Sequence, residues 1–223
     1  MIHPNPMSEP LGAVTGASVM NLHDSCLADA QWKQAPISAP SESVWHWIET
    51  NHVNNSLLWA EEDLARRTTV SAEEIAANKR AIDGFNQARN DATERVDELL
   101  LISLGLVDGD SARTDAPVAR VPQGARLHSE TAGSMIDRLS IMSLKIDAMR
   151  AQTQRTDVDQ AHIASSEVKL ARLLQQRRDL AQCLDDLLAE ARAGQAYFKV
   201  YRQFKMYNDA RFNPVLVAEQ KAH

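Results

Sequence analysis

Six polar residues recur along one stretch of the chain at intervals that a helix would bring into line. Lys79, Asp83, Asn86, Asn90, Glu94 and Asp97 are spaced 4, 3, 4, 4 and 3 apart, and at 100° per residue they fall within about 40° of one direction. Ile75, Ile82, Leu100 and Leu104 flank the row, so a helix that buries them must carry part of the polar row inward. A second row, His52, Asn55, Glu62 and Arg66, shares an arc with Ile48, Leu58 and Trp59. Three readings compete. The rows could be solvated faces with i,i+4 pairs, a buried network that only holds the fold together, or a ligand or metal site between helices. Repeated asparagines weigh against the first, because a solvent face has little use for them.

As a site, the residues divide by chemistry. Glu62, Asp83, Glu94 and Asp97 are the candidate catalytic acids. Glu62, Glu94 and Asp97 also make an oxygen-only set, which would suit magnesium or manganese. Asn55, Asn86 and Asn90 would orient a ligand, and Arg66, Lys79, Arg138 and Lys145 would hold its anionic groups. Ser129 to Ser134 place small residues and free backbone donors at a helix start, where the dipole favours an anion; the alternative is an ordinary helix start with Arg138 and Lys145 in salt bridges. Glu49 and His52 form a lone Glu-x-x-His pair with no companion for a di-iron centre. No Gly-rich phosphate loop or nucleophile elbow occurs.

The elements that position these residues follow from proline spacing and capping. Five of the eight prolines fall at or before Pro40, Pro117 and Pro122 lie mid-chain, and Pro214 is last; the proline-free stretches between them form the helical body. Ser43 to Arg67 reads as a first helix. Ser71 and Glu74 form a capping box that starts a second, which runs to about Leu104 with Gly105 as its stop. Glu130 to Gln152 reads as a third, with Met135, Leu139, Met142, Ile146 and Met149 on one stripe. A fourth begins near an Asp157/Gln160 capping box, and Gly194 interrupts it. Tyr197 to Tyr207 has a helical period and would pack as a short fifth helix. The expected fold is all-α, an antiparallel bundle of four long helices plus a short C-terminal helix. Residues 1–42 would be a mobile tail with a short helix around Val19 to Ala30, residues 43–214 the bundle with an exposed loop at 106–128, and residues 215–223 a tail.

Composition narrows the partners. A net charge of −6 argues against nucleic acid, which needs a basic surface. Cys26 and Cys183 have no metal-ligand spacing, and the N-terminus lacks a basic start and an apolar run. No stretch reaches the roughly 20 apolar residues of a membrane span. A cytoplasmic location is the expectation.

Several strings resemble a known family. Asn55 to Arg66, Lys79 to Asp97 (KRAID with NQARNDATERVD), Ser129 to Ile141 followed by Leu144-Lys145-Ile146, and Phe204 to Asp209 with Asn213-Pro214 are similar to an uncharacterised bacterial family, domain of unknown function number 4254. The resemblance covers about Ser43 to Pro214 and implies a fold and a set of polar motifs, but no activity. Glu94-Arg-Val-Asp97 also resembles half of the metal set of the all-α nucleotide pyrophosphatases. It departs from them in offering Glu61-Glu62-Asp63 where two spaced glutamates are needed. The functional expectation is an interhelical pocket for a phosphorylated small molecule, a sugar phosphate or nucleotide, with or without a divalent metal. The alternative is a structural or interaction module, as a homodimer or in association with envelope-sugar transferases.

Overall fold

The computed structural model describes residues 14–204, 206 and 209–222, and it is mostly helical. Side-chain caps set the helix starts. α1 (Gly16–Ala28) begins at Thr15, α2 (Val44–Leu64) at Ser43 and α3 (Ala72–Ser103) at Ser71, each with its hydroxyl accepting from a first-turn N–H. The Ser71/Glu74 box is reciprocal, as its spacing implies. After a single turn, α4 (Gly109–Ala112), come α5 (Ala132–Thr153), capped by Thr131, and α6 (Gln160–Arg192). The cap of α6 is Asp159, not Asp157; Asp157 pairs with Arg155 instead. Gly105 and Gly194, at φ 70° and 67°, take the left-handed turn that ends α3 and α6.

Contacts along the helices fix their directions. Asn51 reaches Thr93 while Glu61 meets Asn78, so α2 and α3 run in opposite senses. Ser143 meets Arg177 while Gln152 meets His162, so α5 and α6 do too. Leu100, Leu101, Ile136, Leu139, Leu184 and Leu188 form the core between them. No helix among the described residues is long and apolar enough to cross a membrane.

Three expectations need correction. The mobile tail does not hold for residues 14–42, because α1 is docked; residues 1–13 lie outside the described residues. Val19 is fully buried, Arg177 grips Asp24 through both terminal nitrogens at 2.6 and 3.1 Å, and the Gly16 N–H donates to Asp185 at 2.7 Å. A Cβ on Gly16 would lie 2.6 Å from the Ala181 carbonyl, so this contact depends on a missing side chain and leaves no apolar period to read. The 106–128 loop is partly ordered into the core through Leu106, Val107 and Ala112. Its end forms β1 (Arg126–Leu127), which pairs in parallel with β2 (Ala196–Tyr197). Residues 198–204 are therefore not helical, and Phe198 and Val200 are buried while Tyr201 is exposed; alternate side chains of an extended segment can bury what a helical period would also gather. Lys205 and Tyr207 lie outside the described residues. The C-terminal helix lies later, as α7 (Pro214–Ala222).

Removing residues 1–42 should thus lower the urea midpoint sharply or abolish cooperative unfolding, since burial of Val19 alone is worth about 1.5–3 kcal/mol. An unchanged midpoint would show that α1 contributes nothing to the fold.

Candidate functional site

Both polar rows slope from the surface into the interior, and they do so toward the same end of the helix pair. On α3 the Lys79–Asp83 pair is solvated, with side chains 65% and 46% exposed; Asn86 is half-buried, and Asn90 and Asp97 are buried. On α2, running the other way, Arg66 and Glu62 form an exposed i,i+4 pair, while Asn55 and His52 are buried. The solvated reading therefore fits one end of each row and the interior reading the other.

The buried end of α3 is closed by protein groups. Asp97 accepts from the Gly133 N–H at 2.6 Å, so the helix start expected to receive an external anion receives this carboxylate. Burial pushes Asp97 up to about 7, against hydrogen bonds from Thr131 and Gly133 that pull it down and with nearby Glu94 and Glu98 adding to the rise. Glu94 bonds Arg202 Nη1 at 2.9 Å and the Gln203 N–H at 2.9 Å. Glu98 takes the same Arg202 nitrogen at 2.7 Å, and Arg202 Nη2 donates to the Ala112 carbonyl at 2.7 Å. These two acids clamp the extended C-terminal segment. No three His, Cys, Asp or Glu side chains among the described residues form a group able to hold a metal, so Glu62, Glu94 and Asp97 are not brought together as one set.

The polar node that does form centres on Asp137 of α5. Its Oδ1 accepts from Asn51 Nδ2 at 2.8 Å and Asn55 Nδ2 at 2.9 Å, with Arg89 Nε at 3.7 Å. Asn55 also donates to Ser140 Oγ at 3.0 Å, which meets His52 Nδ1 at 2.8 Å. Behind them the His52 ring stacks on Trp32 at 4.9 Å and lies 4.3 Å from His23. Burial holds both rings neutral, His52 down to about 4 and His23 well below its ordinary value, where His52 and Arg177 add to the effect. Neither His23 nitrogen has a hydrogen-bond partner among the described residues.

A cleft of about 250 Å³ opens beside this node. Arg89 and Arg66 supply its donors, Asn55 an amide whose N–H bonds are held by the node, Glu62 and Asp63 its carboxylates, and Trp59 with Leu58, Ile141 and Leu144 its apolar wall. Arg89 Nε is buried there without a hydrogen bond. Of the residues singled out in the sequence, Asn55, Glu62 and Arg66 meet at the cleft. Lys79, Asp83, Asn86, Asn90, Glu94 and Asp97 do not line it; Arg138 pairs with Glu130 at the surface, and Lys145 lines a separate groove. Sequence reasoning passed over Asn51, Arg89, Asp137 and Ser140. A usable signal was the run of small residues Gly133, Ser140 and Ser143 on α5, which marks the face that packs closely and on which Ser140 joins the node.

Asp97 and Glu94 give separable tests. An acid whose native pKa is raised binds its proton more tightly when folded, so its contribution is present below about pH 4 and is lost as pH climbs to about 7. The buried histidines act in the opposite direction, so the difference between wild type and Asp97→Asn isolates the carboxylate. Wild-type stability should fall relative to that variant by on the order of a few kcal/mol between pH 4 and 7, read by urea unfolding; a constant difference would refute the assignment. Glu94→Gln should cost about 1–3 kcal/mol by weakening the Arg202 clamp, whereas unchanged or raised stability would mean that Glu94 is not held by Arg202.

The sequence profile of a family described as a protein of unknown function, DUF4254, matches residues 45–200. That span runs from the second residue of α2 through α6, takes in the Asp137 node and the cleft, and ends before Arg202. No curated protein and no solved structure matches the chain. With more than two thirds of its length covered by that profile, the chain belongs to the DUF4254 family of proteins of unknown function.

Proposed function

We propose that the cleft between α2, α3 and α5 binds a small phosphorylated molecule, with a sugar phosphate fitting better than a nucleotide. The observation that carries this reading is Arg89: a guanidinium on the cleft wall whose Nε is buried and makes no hydrogen bond. The Asp137 carboxylate lies 3.7 Å away, too far for a hydrogen bond; a buried donor without one is costly, and an entering phosphate oxygen would supply it, with Arg66 as a second cation. Trp59 offers a face for a sugar ring, and the Asn55 amide a polar contact beside it. The volume of about 250 Å³ lies below the roughly 300–1,000 Å³ common for drug-sized ligands, which favours one phosphorylated sugar. Glu62 and Asp63, at the rim, would supply oxygen ligands to a magnesium or manganese ion carried in with the phosphate. Asp137 holds Asn55 and Arg89 in place and is a positioning residue. The reading concerns binding and assigns no reaction.

A second reading has its own support. Asp97 and Glu94 are both committed to internal contacts, as expected of a structural or interaction module whose polar seam fixes helix register. In that reading the chain would act as a homodimer or beside envelope-sugar transferases, and four long helices in an antiparallel bundle would be its scaffold.

Thermal unfolding with hexose phosphates, ribose 5-phosphate and inorganic phosphate, each with and without magnesium, separates the two. A ligand at a hundred times its Kd should stabilise the protein by about 2.7 kcal/mol. Arg89→Met and Trp59→Ala should abolish the shift, while Lys79→Met, on the solvated end of the row, should leave it. No shift across the panel would decide for the structural module.

A further inference from the structure

A second cleft lies on the other side of Trp59, between α5 and α6, with a volume of about 460 Å³. It differs in kind from the first. Trp59, Met149 and Leu173 form an apolar floor, and Lys145, Lys169 and Arg172 stand around it; no carboxylate lines the groove. In a chain with a net charge of −6, three cations without one acid is a local reversal of sign. None of the three makes an ion pair or hydrogen bond among the described residues, so their charge is available to a ligand.

The groove is poor in acceptors. Cationic side chains only donate, and the carbonyl of Gln152, one of two amides on the wall, is already engaged by Arg155 and His162. A sugar or nucleobase would leave most of its donors unmet here, which disfavours both. An aliphatic body with one anionic head leaves nothing unmet, since the stems of Lys145, Lys169 and Arg172 extend the apolar floor while their heads reach the rim. The volume suits one small molecule, and a folded partner would need on the order of 800 Å² of contact. From this shape and this charge, we infer that the groove is a binding site for a free long-chain carboxylate, its tail on Trp59, Met149 and Leu173 and its head among Lys145, Lys169 and Arg172. This site is separate from the phosphate cleft and does not depend on it.

Titration of the full chain with octanoate, decanoate, dodecanoate and tetradecanoate below their micellar concentrations, followed by calorimetry, tests the inference. Each added methylene should tighten binding by up to about fourfold until the groove is full, and dodecyltrimethylammonium should bind weakly or not at all. The exposed pair Lys145→Glu with Arg172→Glu should weaken dodecanoate at least about tenfold without moving the melting temperature of the free protein. Arg89→Met, in the other cleft, should leave dodecanoate binding intact. No saturable binding, equal affinity for the cationic amphiphile, insensitivity to the charge reversals, or association only with phospholipid vesicles would each overturn it.

Discussion

α5 begins against α3 at backbone distance, and this close crossing rests on Gly133. A Cβ there would meet the Thr93 carbonyl at 2.6 Å and the Asp97 carboxylate at 2.9 Å. Because there is none, the first turn of α5 can offer its N–H groups to Asp97, and the positive end of the helix finds a negative group inside the protein. One turn further along, the same approach sets Asp137 beneath the two amides of α2 and beside Arg89 of α3. A wider crossing would separate these three helices and leave the node without its acceptor.

The position of Asp137 explains why the two ends of the polar rows behave differently. Toward the Gly133 crossing the helices are too near for anything but each other, so Asn90, Asp97 and His52 are buried. Farther along, Trp59, Ile141 and Leu144 bound a gap that the backbone does not fill. Arg89 stands at the transition. Its Nη2 donates to Asn90 at 3.2 Å on the closed side, while its buried Nε makes no hydrogen bond and has the Asp137 carboxylate at 3.7 Å.

Local chemistry was legible in the sequence where one segment decides the outcome alone. The Ser71/Glu74 box and Gly105 mark both ends of α3 because capping depends on neighbours three or four residues away. The helical wheel also identified a row that enters the interior. It could not show that the row slopes, because depth depends on where a second helix crosses, and that crossing is set by Gly133, a residue whose contribution is an absent side chain. Asp137 was passed over for Arg138 for a related reason. Adjacent residues on a helix point about 100° apart, and only the neighbours of α5 decide which of the two is inside. The non-helical course of Phe198 to Arg202 is hidden in the sequence because its aromatics satisfy a helical period, while what anchors its two ends, β1 beside Tyr197 and the α3 carboxylates on Arg202, is far away in sequence.

That last distance bears on how the chain is made. Glu94 and Glu98 sit one turn apart on α3; Arg95 pairs with Glu98 from within the helix, and the cation that joins both acids is Arg202, 104 residues after Glu98. During synthesis Glu98 therefore has Arg95 beside it on the same helix, but the cation that serves both acids, and the parallel pairing of Arg126 with Ala196, are missing until residues 196–202 have been made. Closing such long loops is slow compared with helix formation. Long-range closures of this kind, with the still longer reaches from Gly16 to Asp185 and from Asp24 to Arg177, are the slow contacts of this chain relative to its local helices.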